Sequence, residues 1–351
     1  SETPKSLEPV KDYSSPKTAG FISDKEVTDY QEKVLEVNTE KWLNIIHDHT
    51  FPTQYAPMYI QEAELIVAVY ERLYKNLDAP SIAGINWREK LSPEESELVR
   101  KMESRLQNVM DGFLKSESDY VFVKTSSRSA KDAPMAQENF KELYEQFLSE
   151  EAEDVRGTEN TQITCLLKAA FRAMRVRSAA MVMDMVMRSE RIYQDMLLAL
   201  EFKEKFHENF VVRAFVDIDV DMEFRGFVFA GSLVALSQYN YLIYSPRLVE
   251  QKDALQAKIL TFFHDTLKPK LDSSNFEKAF IIDFAVGSKD EKLWVIEINP
   301  FLTTTDAALF SWEHERHLLE GKEGFQFRIN TRPKPGARTM LPHSIKALLS
   351  V

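Results

Sequence analysis

The densest apolar stretch in the chain runs Phe280-Ile281-Ile282-Asp283-Phe284-Ala285-Val286, then a polar segment, then Leu293-Trp294-Val295-Ile296-Glu297-Ile298-Asn299-Pro300-Phe301. Both flanks are rich in β-branched and aromatic residues, and Gly287 to Lys292 between them is a turn by composition. The pattern predicts a β-hairpin. Strand side chains alternate between faces. Trp294, Ile296 and Ile298 are therefore expected on a core face, with Leu293, Val295, Glu297 and Asn299 on the other. A turn centred near Asp290 sets Asp283 opposite Glu297.

Elsewhere the two periods separate cleanly. Tyr120 to Lys124, Phe210 to Val216, and Glu223 to Phe229 read as strands, the last turning at Ala230-Gly231-Ser232 into Leu233 to Tyr239. Helical spacing appears at Leu65, Val69, Leu73 and Leu77, and at Leu98, Met102, Leu106, Val109 and Phe113. Ser92-Pro93-Glu94-Glu95 predicts a helix start, with Ser92 as N-cap, Pro93 at the first helical position and Glu95 reaching back. Further helices are expected around Trp42 to Ile46, at Phe140 to Leu148, Thr161 to Arg175 and Ile192 to Leu200, and from Asp253 to about Phe263. Met181, Met183, Met185 and Met187 alternate, which suits a strand or connector, either packed in a core or lining a flat apolar slot for an adenine ring.

Composition narrows the function classes. The chain has 351 residues, enough for two modest domains or one large domain with lobes. It is 44% hydrophobic and 28% charged, as in soluble globular proteins, and no apolar run reaches transmembrane length. Residues 1–20 are rich in Ser, Pro and Lys and are expected to be a flexible tail. The single cysteine, Cys165, excludes an intrachain disulfide and a cysteine metal cluster, and suits a reducing, cytoplasmic compartment. A net charge of −11 without a basic run disfavours non-specific nucleic-acid binding and suits a basic protein surface. There is no Walker motif, and with ten glycines no Gly-rich phosphate cradle.

Candidate chemistry concentrates on the strands. Asp283, Glu297 and Asn299 bring two carboxylates and an amide oxygen together, hard ligands suited to Mg²⁺ carrying nucleotide phosphates; the other reading is a set of solvated side chains on an open face. Lys124, ahead of a small polar loop, reads as a phosphate contact or as an edge-strand lysine that discourages aggregation. Arg213 and Arg225 lie on otherwise apolar strands. They need anionic partners: an internal salt bridge to Glu223 or an aspartate, or triphosphate oxygens.

Several of these residues carry a resemblance. Val123-Lys124 with Lys131-Asp132-Ala133, Val212-Arg213, Glu223-Phe224-Arg225 with Phe227-Val228, Ile282-Asp283, and Leu293 to Phe301 with Thr305-Asp306 and Leu309-Phe310-Ser311-Trp312-Glu313 resemble the cell division cycle protein 123 family in order and spacing. The resemblance runs from about Lys124 to Glu313. It departs at Thr125-Ser126-Ser127-Arg128, where the family has Leu-Asn-Trp-Ser, and at Glu297, where it has Asp; residues 60–115 show no match. The resemblance implies an ATP-grasp fold, two α+β lobes with ATP-Mg bound in the cleft between antiparallel sheets. The lobes are expected at residues 21–190, with a helical insertion, and at 191–351. It implies ATP and Mg²⁺ as cofactors and a cofactor-binding set of Lys124, Lys131, Asp132, Arg188, Ser189, Arg213, Glu223 and Arg225. In that set Lys124 contacts phosphate, Arg213 and Arg225 line the nucleotide cleft, and Arg188-Ser189 passes beside the adenine. The implied metal ligands are Asp283, Glu297 and Asn299. The implied role is assembly of eukaryotic translation initiation factor 2 by binding its gamma subunit. Two other classes stand beside it: an ATP-grasp enzyme (ligase, or phosphoryl or nucleotidyl transferase) with its own acceptor, and a nucleotide-free interaction module. Retention of Lys124 and all three metal-type ligands argues against the module.

Overall fold

The computed structural model describes residues 32–34, 36–117, 119–126, 128–137 and 139–341; the expected tail at 1–20 lies outside them. The described residues divide into two compact units, one formed by 53–215 and 338–341, the other by 32–52 and 216–337. Among the described residues no helix is long and apolar enough to cross a membrane.

The first unit holds a three-stranded antiparallel sheet of β1 (Thr53–Met58), β2 (Val121–Thr125) and β3 (Glu208–Ala214), in the order β1-β3-β2. Ala56, Met58, Val121, Val123, Phe210 and Val212 point from one face into a core with Ile66, Val69, Met102, Leu106, Val182 and Val186 of the helices. β1 contains Pro57, which an edge strand tolerates because its N–H side need not join a ladder.

Helix Pro93–Asp111 begins as its sequence predicts. Ser92 Oγ accepts from the Glu95 amide at 3.1 Å, and Glu95 Oε1 accepts from the Ser92 amide at 2.9 Å. The methionine run differs from expectation: Ala179–Arg188 is a helix, capped by Ser178. Ala179, Val182, Met183, Val186 and Met187 are buried at helical spacing, Met185 is buried beside them, and unbranched methionines favour a helix. The two-residue period of the methionines alone hid the valines between them. Helix Glu190–Glu201 follows at once, so the chain stays in this unit past residue 191 and leaves it only after Phe215.

The second unit is built on a five-stranded sheet of β4 (Ile218–Phe229), β5 (Ser232–Gln238), β6 (Phe280–Gly287), β7 (Leu293–Pro300) and β8 (Gln326–Arg328), ordered β7-β6-β4-β5-β8. The β4–β5 turn takes left-handed backbone at Ala230 (φ 51°) and Gly231 (φ 79°), the conformation a two-residue hairpin needs. Helix Pro246–Thr261, a π turn at Phe262–Leu267 and helix Lys268–Ser273 connect β5 to β6. β6 is central and buried along its whole length, which is why its apolar run is nearly continuous.

The hairpin pairs as counted, with Asp283 opposite Glu297. Its faces do not alternate as expected. The register shifts between Asp283 and Phe284, whose partners are Glu297 and Val295, so Ile296 is the extra residue of a bulge. Leu293, Val295 and Ile298 are consequently the buried residues, while Trp294 and Ile296 are half-buried. The outer edge of β7 is covered from far away in sequence: Thr50 forms a parallel bridge to Val295 and its hydroxyl donates to the Val295 carbonyl at 2.6 Å.

Candidate functional site

Four strands of the second unit set one row of side chains. Ser237 of β5 lies opposite Arg225 of β4, Arg225 opposite Asp283 of β6, and Asp283 opposite Glu297 of β7. Directly opposed residues share a face, so this transverse row, with Asn299 two residues on, forms one polar strip. The neighbouring strip on the same face is apolar: Phe227, Ala235 and Ile281 pack against Ala307, Phe310, Leu318 and Leu319.

Arg225 and Asp283 are both buried, 7% and 2% exposed. Arg225 Nε and Nη2 donate to the two Asp283 oxygens, each at 2.9 Å, and Nη1 donates to the Asp306 carbonyl at 2.9 Å. The guanidinium also lies 4.9 Å from the Tyr239 ring. Burial alone would lower the Arg225 pKa, but the Asp283 carboxylate outweighs it and the net direction is upward. Of the two expectations for Arg225, the structure displays the internal salt bridge, with Asp283 rather than Glu223 as partner. Glu223 instead accepts from Asn240 Nδ2 at 2.9 Å. Asn299 Nδ2 donates to Asp283 Oδ2 at 3.3 Å. An amide's O and N are told apart only by their hydrogen bonds, so the same side chain turned over presents its oxygen beside Asp283. The donor chemistry of Asp283, Glu297 and Asn299 therefore fits a hard divalent cation.

The first unit carries the other six residues. Lys124 and Arg213 share the sheet face away from the helices, since Phe122 pairs with Arg213 and Lys124 with Val211. β2 is an edge strand, yet Lys124 is only 5% exposed. A solvated anti-aggregation lysine does not fit that burial. Arg213 is fully buried; its Nε donates to Thr53 Oγ1 at 3.1 Å and its guanidinium stands 5.5 Å from the Phe122 ring. Asp132 and Ser189 meet at the start of helix Glu190–Glu201. Ser189 Oγ donates to Asp132 Oδ1 at 2.7 Å and accepts from the Ile192 amide at 3.1 Å, while Asp132 Oδ2 accepts from the Arg191 amide at 3.3 Å. Their geometry is that of a helix cap. Lys131 is half-buried in the turn before Asp132. Arg188 Nη1 donates to Gln137 Oε1 at 3.2 Å and Nη2 to the Ile85 carbonyl at 3.3 Å. Arg188 Nε and Gln137 Nε2 are buried without a hydrogen-bond partner, two donors that fit an acceptor-rich ligand.

Two residues at the strip were absent from the sequence-based site. Asp306 presents its carbonyl to Arg225, and Tyr241 donates its hydroxyl to Asp306 Oδ2 at 2.7 Å. The only signal was the place of Thr305-Asp306 directly after the hairpin.

A family model described as D123 matches residues 87–346. The chain belongs to the D123 family. The match extends beyond the motif-bearing stretch on both sides and includes residues 87–115, where no motif was apparent. Among relatives, a translation initiation factor eIF2 assembly protein of Aspergillus niger is 30% identical over 133 residues, 36% of this chain and 34% of that protein. The protein of the same description in Xenopus laevis is 33% identical over 110 residues, 31% of each chain. The cell division cycle protein 123 of Eremothecium gossypii is 33% identical over 116 residues, 32% of this chain and 31% of that one. The aligned part thus spans about a third of the length of each of these relatives. The structure of Cdc123 from Schizosaccharomyces pombe superposes with a TM-score of 0.57 at 18% identity, covering 86% of this chain and 98% of that one. The α+β fold with two sheets is shared.

Proposed function

We propose that this chain is an ATP–Mg²⁺-binding assembly factor for translation initiation factor 2, acting in the cytoplasm on the gamma subunit and built on an ATP-grasp fold. Membership of the D123 family and the descriptions of the relatives support the partner. The observation that carries the nucleotide reading is the row in which Asp283 faces Glu297 with Asn299 beside it. Asp283, Glu297 and Asn299 would hold Mg²⁺. The cation supplies charge neutralisation between these carboxylates and the nucleotide phosphates. Lys124 and Arg213, buried on one face of the first sheet, are suited to binding phosphate oxygens. Arg225 orients Asp283 through two hydrogen bonds. The unpartnered donors of Arg188 and Gln137 are suited to a ligand's acceptor atoms.

Calorimetry of ATP with and without Mg²⁺ tests the site: the Asp283 and Glu297 carboxylates repel phosphate unless a cation screens them, so metal-free binding is expected to be weak. Equal affinity in both conditions refutes the metal bridge. Capture of the gamma subunit is expected to tighten with ATP–Mg²⁺ present, because a bound nucleotide removes part of the ordering cost of docking, and to weaken with salt. Incubation with ATP–Mg²⁺ and candidate acceptors, following ADP, AMP and pyrophosphate, separates an assembly factor from an enzyme. Release that Asp283→Ala abolishes moves the reading to an ATP-grasp ligase or transferase.

A further inference from the structure

The segment after β7 crosses the sheet face that carries Arg225. Ala307 and Phe310 anchor it on Phe227, Ala235 and Ile281, and this places the Asp306 carbonyl at Arg225 Nη1. The Asp306 carboxylate is fixed twice. Oδ1 accepts from the Ala308 amide at 2.8 Å, and Oδ2 accepts from the Tyr241 hydroxyl at 2.7 Å. Ala308 has a φ of 55°, left-handed backbone that a residue with a Cβ adopts only when its surroundings enforce it. Leu309 then donates its amide to Ser237 Oγ at 3.1 Å, and Ser237 is the residue opposite Arg225 on β5. The loop bearing Tyr241 is tied down in turn: Asn330 Nδ2 donates to the Tyr241 and Ile243 carbonyls at 2.7 and 2.9 Å. Burial, and then the neighbouring Asp306 carboxylate, pushes the Tyr241 phenol pKa well up, so it remains a donor.

A buried ion pair on its own is weak evidence of stabilisation; an apolar pair of the same volume often serves as well. Here a chain of bonds from two loops converges on one guanidinium, which grips both oxygens of one carboxylate. Such an arrangement fixes geometry. We infer that Tyr241 and Asp306 are positioning residues for Asp283: they hold Arg225, and Arg225 holds the plane of the carboxylate that stands beside Glu297 and Asn299. The inference rests on the metal reading given above. It adds that affinity for the cation depends on residues that never touch it.

The test uses the full chain, with Mn²⁺ as a paramagnetic probe in place of Mg²⁺, and ATP. Tyr241→Phe and Asp306→Ala, which remove one and two of the hydrogen bonds on the Asp306 side chain, are each expected to weaken Mn²⁺–ATP binding by about tenfold, as loss of an outer-shell partner does. Asp306→Asn keeps an acceptor for the Ala308 amide and a group to meet the Tyr241 hydroxyl, and is expected to restore most of the affinity. Thermal midpoints check folding, and Tyr241→Phe, which removes one oxygen atom, serves if Asp306→Ala does not fold. A second readout needs no metal: the Arg225 Nε–H resonance, shielded from water in the wild type, is expected to exchange rapidly in Tyr241→Phe and Asp306→Ala. Wild-type binding of Mn²⁺–ATP with unchanged binding in both variants overturns the positioning role alone, as does an unchanged Arg225 resonance. A wild-type chain that binds no Mn²⁺–ATP overturns the metal reading, and the inference falls with it.

Discussion

Arg225→Ala is the perturbation whose size the structure fixes most directly. It removes two hydrogen bonds to Asp283 and one to the Asp306 carbonyl, and leaves a carboxylate that is 2% exposed with Asn299 Nδ2 as its one remaining donor in this network. Removing one partner of a buried pair costs about 3–5 kcal/mol, mostly through the charge left behind. At roughly 2–4 °C per kcal/mol for a domain of this size, the midpoint of the second unit falls by on the order of 10 °C. Asp283→Leu alone strands the guanidinium and is expected to cost a similar amount. The double replacement Arg225→Met with Asp283→Leu removes both charges and is expected to recover about 2–3 kcal/mol relative to the sum of the singles. Urea denaturation of the wild type, Arg225→Met, Asp283→Leu and the double variant closes this cycle. Additive effects, or a loss below about 1 kcal/mol for Arg225→Ala, would refute the reasoning, because the pair would then be solvated and uncoupled.

Three further outcomes are expected. A Cβ at Gly226 would meet Leu233 Cδ1 at 2.8 Å and Phe284 Cε2 at 2.9 Å, so Gly226→Ala should destabilise by about 1–3 kcal/mol, and an unchanged denaturation midpoint would contradict the packing described. Cys165 is fully buried and its thiol is pushed up to about 11 by that burial, so iodoacetamide at about pH 8 should label it only after unfolding; rapid labelling of the native chain would contradict this. Glu95 is held below its ordinary value of 4.5, first by the Ser92 amide and then by Arg72, so its contribution to stability is present above that pH and is lost as pH falls through the folded value. Glu95→Gln should flatten that acid limb in urea titrations while keeping the helix start.

The sequence made the hairpin legible because a symmetrical count about Asp290 places Asp283 against Glu297, and that pairing is what the strands adopt. The bulge at Ile296 was not legible, since either face of Trp294-Val295-Ile296 is apolar enough to be core. β1 was hidden by its composition: Ala56 and Pro57 are poor strand residues, and the ladder to β3 overrides them. β8 is three residues long and pairs in parallel with β5, too short for any periodicity. That Arg225 needed an anion followed from its apolar strand. Which anion depended on the β4–β6 register, and the intervening helices conceal that register from a local reading. Asp132 and Ser189 entered only through the resemblance; their bond to each other spans 57 positions and only the fold reveals it.

The bridge from Thr50 to Val295 joins residues 245 apart in sequence. Closing a loop of that length costs about 5 kcal/mol of chain entropy, so the contact depends on what is already folded on either side of it. A ribosome must release nearly the whole second unit before Thr50 finds its strand, and until then β7 presents an unguarded row of backbone donors and acceptors. The same edge reappears whenever the strip of residues 38–50 lifts off, an opening that need not disturb the rest of the sheet. A gene fragment cut at the natural-looking junction after Phe215 would express five strands with that edge bare. Its expected failing is self-association through β7 rather than loss of the core.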